Sequence, residues 1–233
     1  MSLPYFFAEA LGDSGRLTLD EETSRHVVQV LRMRASDELL LTDGRGRRAH
    51  VAIEEAHKKH TVVELKSVDY SDRLQPSLTI AISLVKNTSR FEWFLEKATE
   101  LGTSNIIPLL CARTEKQQMR LDRMNSICRS AMLQSAQAWM PAVSTPQAYA
   151  DVVHKASQQK KFIAHCVEGE KRGLAQSNID ADDYIILIGP EGDFTGDEIA
   201  LAIEHGFEPV TLGSTRLRTE TAGLYAAAIL RAH

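Results

Sequence analysis

Through about residue 72, apolar and polar residues alternate in short runs, the two-residue period of strands with one face on a core and the other toward water. Phe6 and Phe7, and Leu17 and Leu19, mark two short strands, while Glu38–Thr42, His50–Glu54 and Thr61–Val68 mark three longer ones. Asp43-Gly44-Arg45-Gly46 supplies the turn between the first two of these, since Asp and Gly accept the backbone angles of a tight hairpin. One helix interrupts the strands. It begins at Asp20-Glu21-Glu22, where the helix dipole favours negative charge, and carries His26, Val27, Val30 and Leu31 at helical spacing to an end near Arg34.

A polar connection, Tyr70 to Pro76, predicts a domain boundary, with residues 1–72 before it and 73–233 after it. Beyond it the rhythm changes. Leu78–Val85, Asn105–Leu110 and Lys161–Cys166 read as strands. Ser89 opens a helix with Phe91, Leu95, Ala98 and Leu101 on one face and Gly102 at its end, and a longer helix spans roughly Arg120–Ala138. Strands alternating with helices predict the α/β class, a parallel sheet with crossovers.

The densest pattern runs from Ile185 to Leu224. Tyr184–Ile188 is an almost wholly apolar run, as expected of a strand covered on both faces. Gly189, Pro190 and Gly192 stop it, because Pro fixes φ and Gly admits positive φ. Thr195 and Glu198 form the pattern of a capping box ahead of Ile199, Leu201, Ala202 and Ile203, and Gly206 terminates that helix. Pro209–Leu212 is a further strand, and Gly213 opens a loop carrying Arg216 and Arg218. From Thr219 on, Ala222, Gly223, Ala226, Ala227 and Ala228 permit close helix packing. Turns at the carboxyl ends of parallel strands leave backbone groups to meet a ligand, and two such turns lie about twenty residues apart here.

Charge and cysteine content narrow the picture. A net charge of −4 does not advertise nucleic-acid binding, so any such contact needs a local basic face. In the first unit only Arg25, Arg32, Arg34 and the Arg45, Arg47, Arg48 turn are dense enough to grip phosphates, and a solvated charged face is the alternative reading. Cys111, Cys128 and Cys166 form neither a Cys-x-x-Cys pair nor an even disulfide set, which fits a reducing cytoplasm. No basic-apolar leader and no run of membrane-spanning length is present, so a membrane role is not expected. The histidines lack metal-ligand spacing, and no metal is assigned. Gly44-Arg45-Gly46 lacks the third glycine of a dinucleotide fingerprint.

Gly189-Pro190-Glu191-Gly192 with Phe194 and Glu198, then Leu212-Gly213, then Leu217-Arg218-Thr219-Glu220-Thr221-Ala222, resembles the signature of the SPOUT methyltransferases. More narrowly, the chain resembles the ribosomal RNA small-subunit methyltransferase E family. The likeness extends to Phe91–Gly102 with Pro108 and Arg113, to His26 with Val30-Leu31-Arg32, and to Asp43-Gly44 with Gly46, so it covers nearly the whole chain.

This resemblance implies a C-terminal SPOUT α/β domain with a deep trefoil knot, preceded by a small PUA-like β-barrel used for RNA. It implies S-adenosylmethionine as cofactor, N3 of a uridine in the 16S rRNA of the 30S subunit as target, and a homodimer. The cofactor residues it implies are Leu187, Gly189, Gly192, Leu212, Gly213, Leu217, Thr221 and Ala222, with the Cys166–Gly169 loop as a third wall. Arg218 is the implied stabiliser of charge on the base, and Glu220 the implied proton acceptor or the group that orients the arginine. Arg25, Arg32, Arg34, Arg45, Lys86, Arg90 and Arg113 are the candidate RNA contacts. A small-residue final helix, together with Met132, Leu133 and Trp139 in need of cover, agrees with a dimer.

The chain departs from the family pattern in places. Asp193 stands at a usual glycine, which is tolerable with a negative φ; Tyr5 stands at a common arginine, and Ser135–Ala138 at a common Gly-Arg pair. Asn87 and Ser36 each replace a glycine. Two readings remain beside the main one: a SPOUT methyltransferase acting on tRNA or on a ribose 2′-oxygen, and a non-catalytic RNA-binding ribosome assembly factor.

Overall fold

The computed structural model describes residues 3–177 and 180–232, which form two compact units. One comprises the chain up to Arg73 together with Met132–Met140; the other comprises Leu74–Ala131 and the chain from Pro141 on.

The first unit is a five-stranded sheet in the order β1-β3-β4-β5-β2, with β1 at Tyr5–Phe7, β2 at Arg16–Thr18, β3 at Glu38–Thr42, β4 at Arg47–Glu55 and β5 at Val62–Tyr70. Only β1 and β3 pair in parallel; the rest is antiparallel. The alternation seen in the sequence gives each strand a buried face, and Leu39, Leu41, Ala49, Val51, Ile53 and Val63 meet Leu19 and Val27 in one apolar cluster. Helix α1, Glu21–Arg25, is capped by Asp20, whose side chain accepts from the Thr23 amide. It continues as a π-helix over His26–Val30 and stops there, short of Arg34, because Arg32 adopts φ 56°.

The last stretch of this unit, Met132–Met140, folds back onto its β-strands. Trp139 donates from Nε1 to the Ser71 carbonyl at 2.7 Å, and its ring covers Gly46. Tyr70 meets that ring edge-on, and the Arg73 guanidinium lies 5.1 Å from its centroid. Met132 is fully buried within the single chain. One chain thus covers Met132 by itself and leaves Trp139 half-buried, so Met132 needs no second copy to cover it. Tyr5, read as a lost arginine, donates its hydroxyl to the Gln137 carbonyl at 3.1 Å, and burial raises its pKa.

The second unit is a parallel sheet in the order β11-β13-β10-β12-β6-β7-β8, with β9 also paired to β7. Its strands are β6 (Ser77–Ser83), β7 (Asn105–Leu110), β8 (Ala142–Val143), β9 (Gln147–Ala148), β10 (Lys160–Ala164), β11 (Arg172–Gly173), β12 (Asp183–Ile188) and β13 (Glu208–Thr211). The helices are α2 (Thr88–Glu100), α3 (Leu121–Gln134), α4 (Tyr149–Lys155), α5 (Gly196–Glu204) and α6 (Thr219–Arg231). Asn87 rather than Ser89 caps α2, and α3 ends at Gln134, before Ala136 at φ 54°. The short α4, with little periodic sequence, was not expected. Strands β6 and β12 are buried along almost their whole length because both faces are covered. On one face, Ile185, Leu187 and Ala81 pack with Tyr149 and Val153 of α4 and Ile199 and Ala202 of α5. Helices α6 and α2 pack together, with α6 also on β6 and β12; the Gly223 Cα comes so close that an added Cβ would sit 2.7 Å from the Phe94 ring and 2.8 Å from Ile82. No helix among the described residues is long and apolar enough to cross a membrane.

Gly46 combines φ 97° with a Cβ position 2.7 Å from Trp139 and 2.9 Å from the Ser71 carbonyl. Gly46→Ala should therefore lower stability by about 2–4 kcal/mol, strain and overpacking together. Urea unfolding of the purified variant measures this, with a shift in midpoint and no change in slope expected.

Candidate functional site

Strands β13, β10 and β12 lie side by side, and their carboxyl ends open onto a cavity of about 750 Å³. That is within the range of roughly 300–1,000 Å³ of small-molecule sites. Three loops wall it, each following one of the three strands: His165–Val167 with Lys171, Gly189–Asp193, and Leu212–Arg218 running into Thr219 and Ala222 of α6.

Peptide groups beyond a strand end have lost their ladder partners, and side chains supply replacements here. Thr219, buried at the start of α6, donates its hydroxyl to the Gly189 carbonyl at 3.0 Å. Arg113 donates to the Gly192 carbonyl at 2.5 Å and to that of Phe194 at 3.5 Å. Glu198 completes the capping box expected of α5, accepting from the Thr195 amide at 2.8 Å, and its other oxygen accepts from the Ala112 amide at 2.7 Å. Lys171 donates to the His165 carbonyl at 2.8 Å and to that of Val167.

The glycines serve different purposes. Gly213 has φ 126°, a backbone state closed to most side chains. Gly189 and Gly192 are not in that region. They are small because a Cβ would lie 3.2 Å from the Phe194 ring at the first and 3.2 Å from Arg113 at the second. Asp193 does take a positive φ, 63°, contrary to the sign expected for a non-glycine residue there.

Of the residues singled out in the sequence, Gly189, Gly192, Leu212, Gly213, Leu217, Ala222, Arg218 and Arg113 line the cavity. Leu187 does not: it is fully buried on the face shared with Phe194 and Ile199, and the next residue, Ile188, lines the cavity in its place. A strand exposes alternate residues to each face, so Leu187 and Ile188 face opposite sides of the sheet. Thr221 is exposed and lies outside the lining, whereas Thr219 is part of it. Glu220 is buried, its side chain 8% exposed, and sits 3.7 Å from Nε of Arg90. Its ionic partner is thus Arg90, whereas sequence reasoning had paired it with Arg218. Lys86 is exposed and pairs with Glu115 at 3.0 Å. In the first unit Arg25, Arg32, Arg34 and Arg45 are all exposed, Arg25 pairing with Glu21 at 3.3 Å.

Arg216, Arg218, Arg113 and Lys171 bring positive charge to the cavity wall against Glu191 and Asp193. Burial, then the Lys171 charge, holds His165 below its ordinary pKa. Elsewhere in the core, burial and then the Glu198 carboxylate push the Cys111 thiol up to about 12, and burial takes Cys128 to about 11. Cys166, on the cavity wall, is exposed.

The parallel sheet with three cavity-walling loops at its carboxyl edge, joined in one chain to a small β unit, is matched by RNA methyltransferases. Residues 73–231 match the family model described as an RNA methyltransferase domain, and residues 19–66 match that of an RNA methyltransferase PUA domain. The chain is similar to the ribosomal RNA small subunit methyltransferase E of Synechocystis sp., at 34% identity over 224 residues that cover 93% of this chain and 73% of that one. It is also similar to two solved structures. The ribosomal RNA small subunit methyltransferase E of Neisseria gonorrhoeae, bound to S-adenosyl methionine, has 30% identity, a TM-score of 0.86 and coverage of 97% of this chain and 96% of that one. A Legionella pneumophila methyltransferase with bound S-adenosylmethionine has 28% identity, a TM-score of 0.88 and coverage of 100% and 98%. The chain belongs to the ribosomal RNA small subunit methyltransferase E family.

Replacing Thr219 by Val keeps the shape and removes the hydroxyl that satisfies the Gly189 carbonyl. An unpartnered buried carbonyl costs about 1–3 kcal/mol, so Thr219→Val should unfold at correspondingly lower denaturant. Chemical denaturation without any ligand reads this, and an unchanged midpoint would show that the bond does not hold the turn.

Proposed function

We propose that this protein transfers the methyl group of S-adenosylmethionine to N3 of a uridine in the 16S rRNA of the small ribosomal subunit. The observation that carries the reading is a cofactor-sized cavity at three adjacent strand ends with Arg218 on its wall. Family membership supports the rRNA substrate.

The lining suits the cofactor. Ile188, Leu212, Leu217 and Ala222 offer apolar surface to a flat base, and the turn peptides offer polar groups to its edge and to a ribose. The bound cofactor supplies an electrophilic methyl group. What remains for the protein is to hold the two partners in line, exclude water and stabilise charge on the base. Uridine N3 must lose its proton, which passes to solvent in this reading, before it attacks, and negative charge then spreads to the flanking carbonyl oxygens. Arg218 is exposed, is the residue before α6 and spends no side-chain bond on capping that helix, so its guanidinium is available to those oxygens. Glu220 acts by orienting an arginine, and the arginine it touches is Arg90. The exposed Arg25, Arg32, Arg34 and Arg45 add phosphate contacts.

A homodimer is part of the same reading. Trp93 of α2 and Tyr225 of α6, 45% and 46% exposed, are large apolar side chains on helices that pack together, and a second copy would cover them. Light scattering should give twice the mass of one chain for the native protein and a single-chain mass for Tyr225→Asp.

The function is tested by transfer of labelled methyl groups to unmodified 30S subunits, protein-free 16S rRNA and bulk tRNA. Label should appear in 30S subunits at uridine N3 and fall about 10²- to 10³-fold in Arg218→Ala. Label in tRNA alone would reassign the substrate, and cofactor binding without transfer would favour an assembly factor. Glu220→Gln should lose activity with its pH profile unmoved; a profile displaced in pH would make Glu220 the proton acceptor instead.

A further inference from the structure

Asp193 occupies a backbone state that suits glycine, with φ 63°. Asp tolerates this state better than most residues, because its short side chain can bond nearby peptide groups. One oxygen does so: Oδ1 accepts from the amide of Phe194, the next residue, at 2.9 Å. The turn itself is closed by the Asp193 amide donating to the Pro190 carbonyl at 2.9 Å. Neither bond requires a second carboxylate oxygen. Oδ2 nevertheless accepts from the Cys166 amide at 2.8 Å, a residue 27 positions away on the loop after β10.

That contact joins two of the cavity's three walls. The loop after β10 has its own internal tie, Lys171 on the His165 and Val167 carbonyls, and its bond across to the Gly189–Asp193 turn comes from this carboxylate. Asp193 is half-buried and itself lines the cavity. We propose that Asp193 is a positioning residue that clamps the Cys166 loop to the turn after β12 and so preorganises the cofactor cavity. A side chain that holds two walls at bonding distance removes part of the ordering cost a ligand would otherwise meet. The price is a non-glycine residue at positive φ, so the clamp trades backbone ease for a formed site. The cofactor part of this inference rests on the function proposed above; the clamp itself does not.

Three variants separate the roles. Asp193→Gly relieves the backbone and removes both side-chain bonds; Asp193→Asn keeps one acceptor oxygen, enough for the Cys166 amide, and tolerance of the angle; Asp193→Ala loses the bonds and keeps the strain. Calorimetric titration with S-adenosylmethionine, thermal unfolding of the ligand-free protein and amide hydrogen exchange at Cys166 are measured on each. In Asp193→Gly the melting temperature should hold or rise, affinity should fall about tenfold, and Cys166 should exchange at least about tenfold faster. Asp193→Asn should bind within about threefold of the native protein, and Asp193→Ala should lose both stability and affinity. Native affinity and native Cys166 protection in Asp193→Gly would overturn the proposal, as would an affinity loss matched by a fall in melting temperature, which marks a merely structural role. A native protein that does not bind the cofactor would refute the proposed function, and the exchange arm would still decide the clamp.

Discussion

The site exists because a parallel sheet has a carboxyl edge whose peptide groups cannot be satisfied within the ladder. Beyond β10, β12 and β13 the chain must leave the sheet, and each departing loop needs partners for its amides and carbonyls. The chain answers with side chains drawn from far along the sequence: Thr219 for Gly189, Arg113 for Gly192 and Phe194, Glu198 for Ala112, Asp193 for Cys166. All of these bonds but that of Glu198, which ties α5 to the loop after β7, join the chain just after β12 to another segment. The turn after β12 is thereby fixed from several directions, and a cavity stays open where loops lacking such partners would collapse onto one another.

Glu198 shows how one residue serves fold and site together. As the third residue of α5 it closes the capping box with Thr195, and with its second oxygen it fastens the loop after β7. Its peptide carbonyl accepts from the Tyr149 hydroxyl at 2.6 Å, so α4, a helix without a strong pattern of its own, is tied to α5. Burial and the nearby carboxylate charge raise the Tyr149 pKa, which keeps that hydroxyl a donor across the whole physiological range.

The sequence made the strands and caps legible because their signals are local. Tyr184–Ile188, the Thr195 and Glu198 pair and Gly206 each act through neighbours a few residues away, and all three appear where the pattern puts them. What escaped depends on contacts distant in sequence. Trp139 folds onto Gly46 and Ser71, and Glu220 turns to Arg90; no spacing rule joins those positions. The exchange of Leu187 for Ile188 has a different origin. Both residues are apolar and fully or nearly buried, so a strand covered on both faces carries no alternation from which to read its phase.

An acidic chain acting on RNA presents an electrostatic problem that the placement of its charges answers. At net charge −4 the long-range field repels a polyanion, and screening confines that repulsion to a distance of about 8 Å at physiological ionic strength. Within that distance the balance is set by individual side chains, and the cavity wall holds four cationic residues against two acidic ones. Such a distribution draws little from nucleic acid at large and favours a substrate already brought close through many separate contacts. Weak overall attraction and a locally cationic site are thus compatible in one chain, because screening cuts off the first beyond the distance at which the second acts.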